Sequence, residues 1–276
     1  MNILCKYTLR SLKKNKVRTI VTIVGIILSV SMFTAVTTLV SSMHTFMVDM
    51  AGESSGVWHV AGISLSREKG ERVQSAWSLQ NLGYARLEKT ANDDKPYLFV
   101  AGMDEGFANN MPVKLTSGRM PANSKEILLP DHLAENGGIT YELGSELALD
   151  LGERTLLGET LTQYNSFQYG ETGPAEEWAK RETRAFTVVG TYARPAFEEF
   201  SAPGYTALTL TDGGADDSYD VYIKLNHIED AESFWETELF EESFIPNYDL
   251  LRMYGASGEG GFNRVLNSLA AVLAGI

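Results

Sequence analysis

A chain of 276 residues, 44% hydrophobic and 21% charged, can fold into one sizeable domain or two small ones and is too apolar to be disordered. Its net charge of −13 is unevenly placed: residues 1–18 hold six basic side chains and no acidic one, leaving 17 basic against 36 acidic residues beyond them. The acidic body argues against a nucleic-acid partner, since that binding rests on Lys and Arg neutralising phosphates, and the single cysteine, Cys5, excludes an intrachain disulfide.

The chain opens with a basic segment, residues 1–18. Residues 2–16 suit either an amphipathic helix on the inner membrane surface, with Ile3, Leu4 and Tyr7 toward lipid, or a solvated tail that sets topology. Residues 19–43 carry no charge. The 21 residues 20–40 reach roughly 30 Å as a helix, the thickness of a bilayer core. The spacing predicts a transmembrane helix over 19–43, with its basic end in the cytosol. The run is too long for a signal peptide and lacks a small-residue cleavage site. A soluble core helix does not match so long an uncharged run beside a purely basic flank. Gly25 with Ser29, and Ser31 with Ala35, are small residues four apart and are candidates for packing against another membrane helix. Met43, Phe46, Met47 and Met50 recur at helical spacing, which extends the helix outward as a stalk whose apolar stripe rests on the outer domain.

Residues 44–261 read as a mixed α+β domain outside the cell. Strand-like runs fall at 57–64, 97–102, 126–129, 146–151, 185–192, 205–210 and 220–225, each bounded by Gly, Pro or Asp. Helices are expected at 67–80, about 131–136, and 230–241, the last opening on acidic residues. Residues 158–180 lack periodicity and are expected to be a long loop. Residues 262–276 are uncharged beyond Arg264 and read as the start of a second transmembrane helix, cut short, rather than as a helix packed on the domain.

Motifs for chemistry are absent or out of context, so no catalytic, cofactor-binding or metal-ligating residue is assigned and no cofactor is expected. Gly52–Gly56 matches G-x-S-x-G, but a helix precedes it and a strand follows, the reverse of a nucleophile elbow. Neither S-x-x-K, at Ser11 and Ser66, has its companion motifs. His44, His59, His132 and His227 lack metal-ligand spacing, and the Asp212, Asp216, Asp217 loop fails the EF-hand pattern. No P-loop sequence is present.

One stretch is more specific. Within residues 112–130, Leu115, Gly118, Arg119, Pro121, Glu126, Ile127 and Leu129 form the pattern L-x-x-G-R-x-P, four residues, E-I-x-L. About 55 residues on come Phe186-Thr-Val-Val189-Gly190-Thr-Tyr192 and then Tyr205-Thr-Ala-Leu208. The opening has a basic lead, Lys14–Thr19, and a first helix that starts Ile-Val-Thr-Ile-Val-Gly-Ile. Together these resemble ABC-transporter permeases of the MacB/FtsX type. Locally, Gly118 and Pro121 shape a turn, Glu126 and Ile127 open a core strand, and Val189-Gly190 ends a buried one, so these are scaffold residues.

The resemblance implies a transmembrane permease subunit in the plasma membrane, worked by a separate cytosolic ABC ATPase and paired with a second permease subunit or half. Such proteins expel small molecules or peptides, extract lipoproteins or activate cell-wall hydrolases. The family's third and fourth helices and its cytosolic coupling loop are not in this sequence. The alternatives are a single-span, signal-anchored extracellular binding or sensor module, and a membrane-tethered enzyme, which requires acid, base and nucleophile in one pocket.

Overall fold

The computed structural model describes residues 13–66, 68, 76–170, 173, 175–214, 218–234 and 244–256. It divides into two compact units, one reaching to Asp49 and one spanning Met50–Gly260. The expected second membrane helix, residues 262–276, lies outside the described residues, as do the basic residues before 13.

Helix α1, Lys16–Ser55, is continuous for 40 residues, roughly 60 Å at 1.5 Å per residue. Its apolar stretch is long and hydrophobic enough to cross a bilayer, and none of that stretch is buried by the protein. Three threonine hydroxyls within it are satisfied internally. Thr22, Thr34 and Thr37 each donate to the carbonyl four residues back, Arg18, Val30 and Phe33 respectively, at 2.9–3.0 Å. Such back-bonding removes the cost of a bare hydroxyl in hydrocarbon. Met43, Phe46 and Met50, three of the four residues of the expected stalk stripe, are more than half exposed. The helix stops at Gly56, whose φ of +93° is left-handed and whose amide donates to Gly52 O at 3.0 Å.

The second unit is a mixed α/β domain whose described residues form one eleven-stranded sheet. Its strands are β1 Val60–Ser66, β2 Ala76–Arg86, β3 Tyr97–Met103, β4 Leu115–Gly118, β5 Glu126–Pro130, β6 Glu146–Leu156, β7 Glu159–Leu161, β8 Glu177–Tyr192, β9 Gly204–Leu210, β10 Ser218–Ile223 and β11 Phe244–Pro246. Among the described residues the domain also holds short helices α2 (Glu105–Asn110), α3 (His132–Glu135) and α4 (Tyr248–Tyr254) and a 3₁₀ turn (Ile228–Glu232). The expected strands all form, several of them longer than the sequence suggested. Of the expected helix over 67–80, Glu68 is helical, but residues 76–80 open β2, where Trp77 and Leu79 are buried and Ala76 and Ser78 are partly exposed, a period of two. Residues 67 and 69–75 of that span lie outside the described residues. Of the expected helix over 230–241, the described part holds the 3₁₀ turn. The expected loop over 158–180 contains β7 and the first residues of β8.

Strand order is β11-β1-β10-β2-β3-β9-β5-β8-β6-β7, with β4 on β8 and a further pairing of β2 with β6. That last pairing closes β2, β3, β9, β5, β8 and β6 into a ring. β3 (YLFVAGM) is buried along its whole length, as its unbroken apolar run requires. β6 begins in strict alternation, with Leu147, Leu149 and Leu151 inward.

β2 is the branch point. β3 takes one of its edges over Leu79–Arg86. Along the other edge, β10 pairs with Ala76–Asn81 and then parts from it, and β6 takes over at Tyr84 and Ala85. The fork is marked by a bulge between Asn81 and Gly83. Gly83 has φ +130°, and a Cβ there would lie 2.9 Å from Gly152 O on β6. Only glycine lets the two backbones come this close.

Candidate functional sites

Three polar constellations stand out in the domain. The first is the corner that carries the sequence motif. Gly118 on β4 pairs with Gly190 on β8. Gly118 has φ +74°, and a Cβ on it would lie 2.2 Å from Val189 O; one on Gly190 would lie 2.7 Å from Ser117 O. Arg119 grips Glu126 with both arms, Nη1 to Oε2 at 2.6 Å and Nη2 to Oε1 at 2.7 Å, and Ala122 N donates to Oε2 at 2.8 Å. The Arg119 guanidinium, with that amide, holds the Glu126 carboxyl down at about 2. Pro121 and Ile127 are buried, and Val189 is the bulged residue as β8 passes β5. These residues form a structural clasp between β4, β5 and β8. The sequence placed them as scaffold; the Arg119–Glu126 clamp, seven residues apart across a turn, was not legible in it.

The second constellation centres on Glu198, whose side chain is fully buried in the loop before β9. It accepts from Lys95 Nζ at 3.2 Å and from Thr206 N at 2.8 Å, and pairs with His132 Nε2 at 2.8 Å. Arg194 Nε lies 3.7 Å away. Burial alone would raise the Glu198 carboxyl, but His132, Lys95 and Thr206 outweigh it and hold it below the usual carboxylate value. Lys95, His132, Arg194, Phe167 and Phe200 line an adjoining cavity of about 430 Å³. Ser166 and Ser201 share that wall, yet His132 Nδ1 is buried with no hydrogen-bond partner. No hydroxyl–imidazole–carboxylate relay is therefore assembled there. No sequence pattern could have found this group, whose members come from the loop before β3, the start of α3, and the loop before β9, with β3 and β9 paired in parallel.

The third lies at the fork of β2. A cavity of about 260 Å³ is lined by Asn81 and Tyr84 of β2, Asp220 of β10, Arg154 of β6, Ser64 of β1 and Gln163 beyond β7. Arg154 is fully buried. It donates to Glu176 through Nε (2.8 Å) and Nη2 (2.7 Å), and to the carbonyls of Thr162 and Asn165. Its guanidinium sits 5.2 Å and 5.5 Å from the Tyr84 and Tyr97 ring centres. This anchor ties down the connection expected to be a long loop. Asp220 accepts at Oδ1 from Ser64 N (2.9 Å) and Asn81 Nδ2 (3.2 Å). Burial pushes its carboxyl up to about 6 despite those two bonds.

The remaining sequence candidates fall elsewhere. Gly25, Ser29, Ser31 and Ala35 are exposed along α1, and nothing lies within 4 Å of a Cβ built on Gly25. Ser54 donates to Ala51 O and Ser55 to Asp249, as residues that end a helix and dock it, with β1 following. His59 is buried and accepts from Leu225 N. Asp212 accepts from Gln80 Nε2 at 2.7 Å and Arg184 Nη1 at 2.5 Å; Asp216 and Asp217 lie outside the described residues. Among the described residues no three His, Cys, Asp or Glu side chains gather as a metal site.

Comparison with known proteins agrees with the sequence pattern. The family described as MacB-like periplasmic core domain matches residues 19–236. Similar solved structures include the periplasmic region of MacB from Actinobacillus actinomycetemcomitans, 10% identical over 71% of this chain and 91% of that one, with a TM-score of 0.38. The extracellular domain of the noncanonic ABC-type transporter YknZ from Gram-positive bacteria is 10% identical over 72% and 86%, with a TM-score of 0.30. A domain of a putative permease protein from Porphyromonas gingivalis is 13% identical over 68% and 89%, with a TM-score of 0.35. No curated protein matches the chain in sequence.

Proposed function

The chain belongs to the MacB-like periplasmic core domain family, and from that premise we propose that it is a permease subunit of an ABC transporter, its domain outside the cytoplasmic membrane and its helix α1 within it. The observation that carries the reading is the family match running from residue 19, inside α1, to residue 236, so that apolar helix and domain belong to one family unit. A separate ATPase in the cytosol hydrolyses ATP, and the motion reaches the outer domain through helices such as α1. An unbroken 40-residue helix suits that task, because a rigid rod passes displacement on without absorbing it. Gly25, Ser29, Ser31 and Ala35 are the positions at which we place contact with a second membrane helix. Export, lipoprotein extraction and cell-envelope signalling are all compatible with this arrangement.

The test is cross-linking in intact cells of the host, followed by purification of the tagged chain and identification of what is joined to it. The reading expects an ATPase with a P-loop sequence, captured through the basic N-terminal segment. Recovery of the chain without any nucleotide-binding protein, under conditions that cross-link a known permease to its ATPase, would overturn it.

A further inference from the structure

We propose that Asn247 is the positioning residue that fixes the outer end of helix α1 on the domain, so that a displacement of that end is delivered to the sheet and to α4. The use made of such a joint rests on the permease reading above. The joint begins at Gly52-Glu53-Ser54-Ser55-Gly56, the G-x-S-x-G match that lacked the context of a nucleophile elbow. Two glycines with serines between them, at the end of a long helix, mark the place where such a rod would bend. Here the bend is blocked. Trp58 Nε1 donates back to Ser55 O at 2.7 Å, and its indole meets the Tyr222 ring edge-on at 5.2 Å, which ties the turn to β10. A Cβ on Gly56 would lie 2.8 Å from Trp58 Cδ1, so it is the glycine that lets the indole close on the helix end.

Asn247 locks this turn from the other side. It is 4% exposed and follows β11 directly, where Pro246 pairs with Val60 of β1. Its Nδ2 donates to Gly56 O at 3.2 Å and to Trp58 O at 2.9 Å, and its backbone N–H donates to His59 O at 3.0 Å. Its Oδ1 accepts from Leu250 N at 3.3 Å as the N-cap of α4. Both donors of one amide are thus spent on the turn between α1 and β1, and its acceptor on α4. No other side chain of this length offers that set: aspartate has no donor, and serine has one. Asp249, in the first turn of α4, accepts from Ser55 Oγ at 2.9 Å and closes a second bond between the two helices. All of these groups lie within the Met50–Gly260 unit. The end of α1, the edge formed by β1 and β11, and α4 therefore meet at one buried side chain. Because α4 precedes residues 262–276, read from the sequence as the start of a second membrane helix, the chain that enters the domain and the chain that leaves it share this clasp.

The test uses the full chain in lipid nanodiscs, with Cys5→Ser and nitroxide labels on cysteines placed at Glu53, in the last turn of α1, and at Glu142, both exposed. Pulsed electron spin resonance reads the distribution of distances between them. With Asn247 in place the proposal expects one narrow distribution. Asn247→Asp keeps the oxygen that caps α4 and loses both donors, and is expected to widen the distribution at least twofold. A second pair, Glu142 with exposed Glu159 on β7, is expected to keep its width, which separates a freed helix end from a loosened domain. Asn247→Ser, which also keeps a capping oxygen, takes its place should Asn247→Asp not fold, with the same expectation. A distribution with Asn247 in place as broad as the variant's, an unchanged width in the folded variant, or equal widening of both pairs would each overturn the proposal. None of these outcomes bears on capture of an ATPase, so the joint and the permease reading fail separately.

Discussion

Gly118 shows how one residue can be fixed by geometry alone. Its φ of +74° costs a residue with a Cβ about 1–3 kcal/mol, and the added atom would sit 2.2 Å from a backbone carbonyl that cannot swing away. Gly118→Ala should therefore destabilise the domain by about 3 kcal/mol or more, read as a lower midpoint in urea with unchanged slope. A loss under about 1 kcal/mol would mean that β4 simply lifts off β8. Asp220 makes the opposite case, a residue kept at a cost. Its carboxyl is raised from 3.8 to about 6 by burial, so the folded state is penalised wherever the group must ionise. That contribution is favourable below pH 4, is lost as pH rises through 6, and leaves a penalty of about 3 kcal/mol at pH 8. The groups around it are Tyr84, Tyr164 and Tyr222, with Arg154, Arg181 and Glu153 on the same cavity wall. Asp220→Asn should gain stability over the wild type by about that amount between pH 4 and pH 8. A difference that stays flat with pH would show that the buried charge is compensated.

At the scale of elements, the connection from β7 to β8 is held by a buried charge. Arg154 and Glu176 have side chains 0% and 1% exposed, and Glu176 also accepts from Gln168 N at 3.1 Å. Glu176→Gln leaves the guanidinium uncompensated between two tyrosine rings and should cost about 3–5 kcal/mol. Replacing both partners by methionine removes both desolvation costs and should recover most of that loss. Denaturation of the two variants decides the matter: equal stability would mean that the loop needs no ion pair. This element also shows what a sequence withholds. β3, β5, β9 and the first half of β6 were legible because a strand buried on both faces writes an apolar run, and one buried on a single face writes an alternation. β2 was not, because its Gly-bearing bulge breaks the alternation where the strand changes partners. The Glu198 and Arg154 groups were hidden for another reason. Their key pairs, Lys95 with Glu198 and Arg154 with Glu176, are ordinary charged residues 103 and 22 positions apart, and the fold brings them together. The turn in the Gly118–Pro121 motif was readable because its glycine and proline signal it locally.

For the whole molecule, the asymmetry of charge and the long apolar helix make one claim that needs no partner to test. We place the end that carries the six basic residues before residue 19 on the cytosolic side, since moving them across the bilayer opposes both the potential and the translocation machinery. The acidic domain then lies outside. The single cysteine provides the probe, because Cys5 precedes α1 and no other thiol competes with it. In intact cells a membrane-impermeant maleimide should leave Cys5 unlabelled, and should label a cysteine placed at exposed Glu142 between α3 and β6. After the membrane is opened, both should react. Labelling of Cys5 in intact cells would invert the topology and remove the ATPase from reach of the basic segment. Protection of both sites until the membrane is opened would place the domain in the cytosol. Either result would end the permease reading at the level of the bilayer, before any question of what the domain binds.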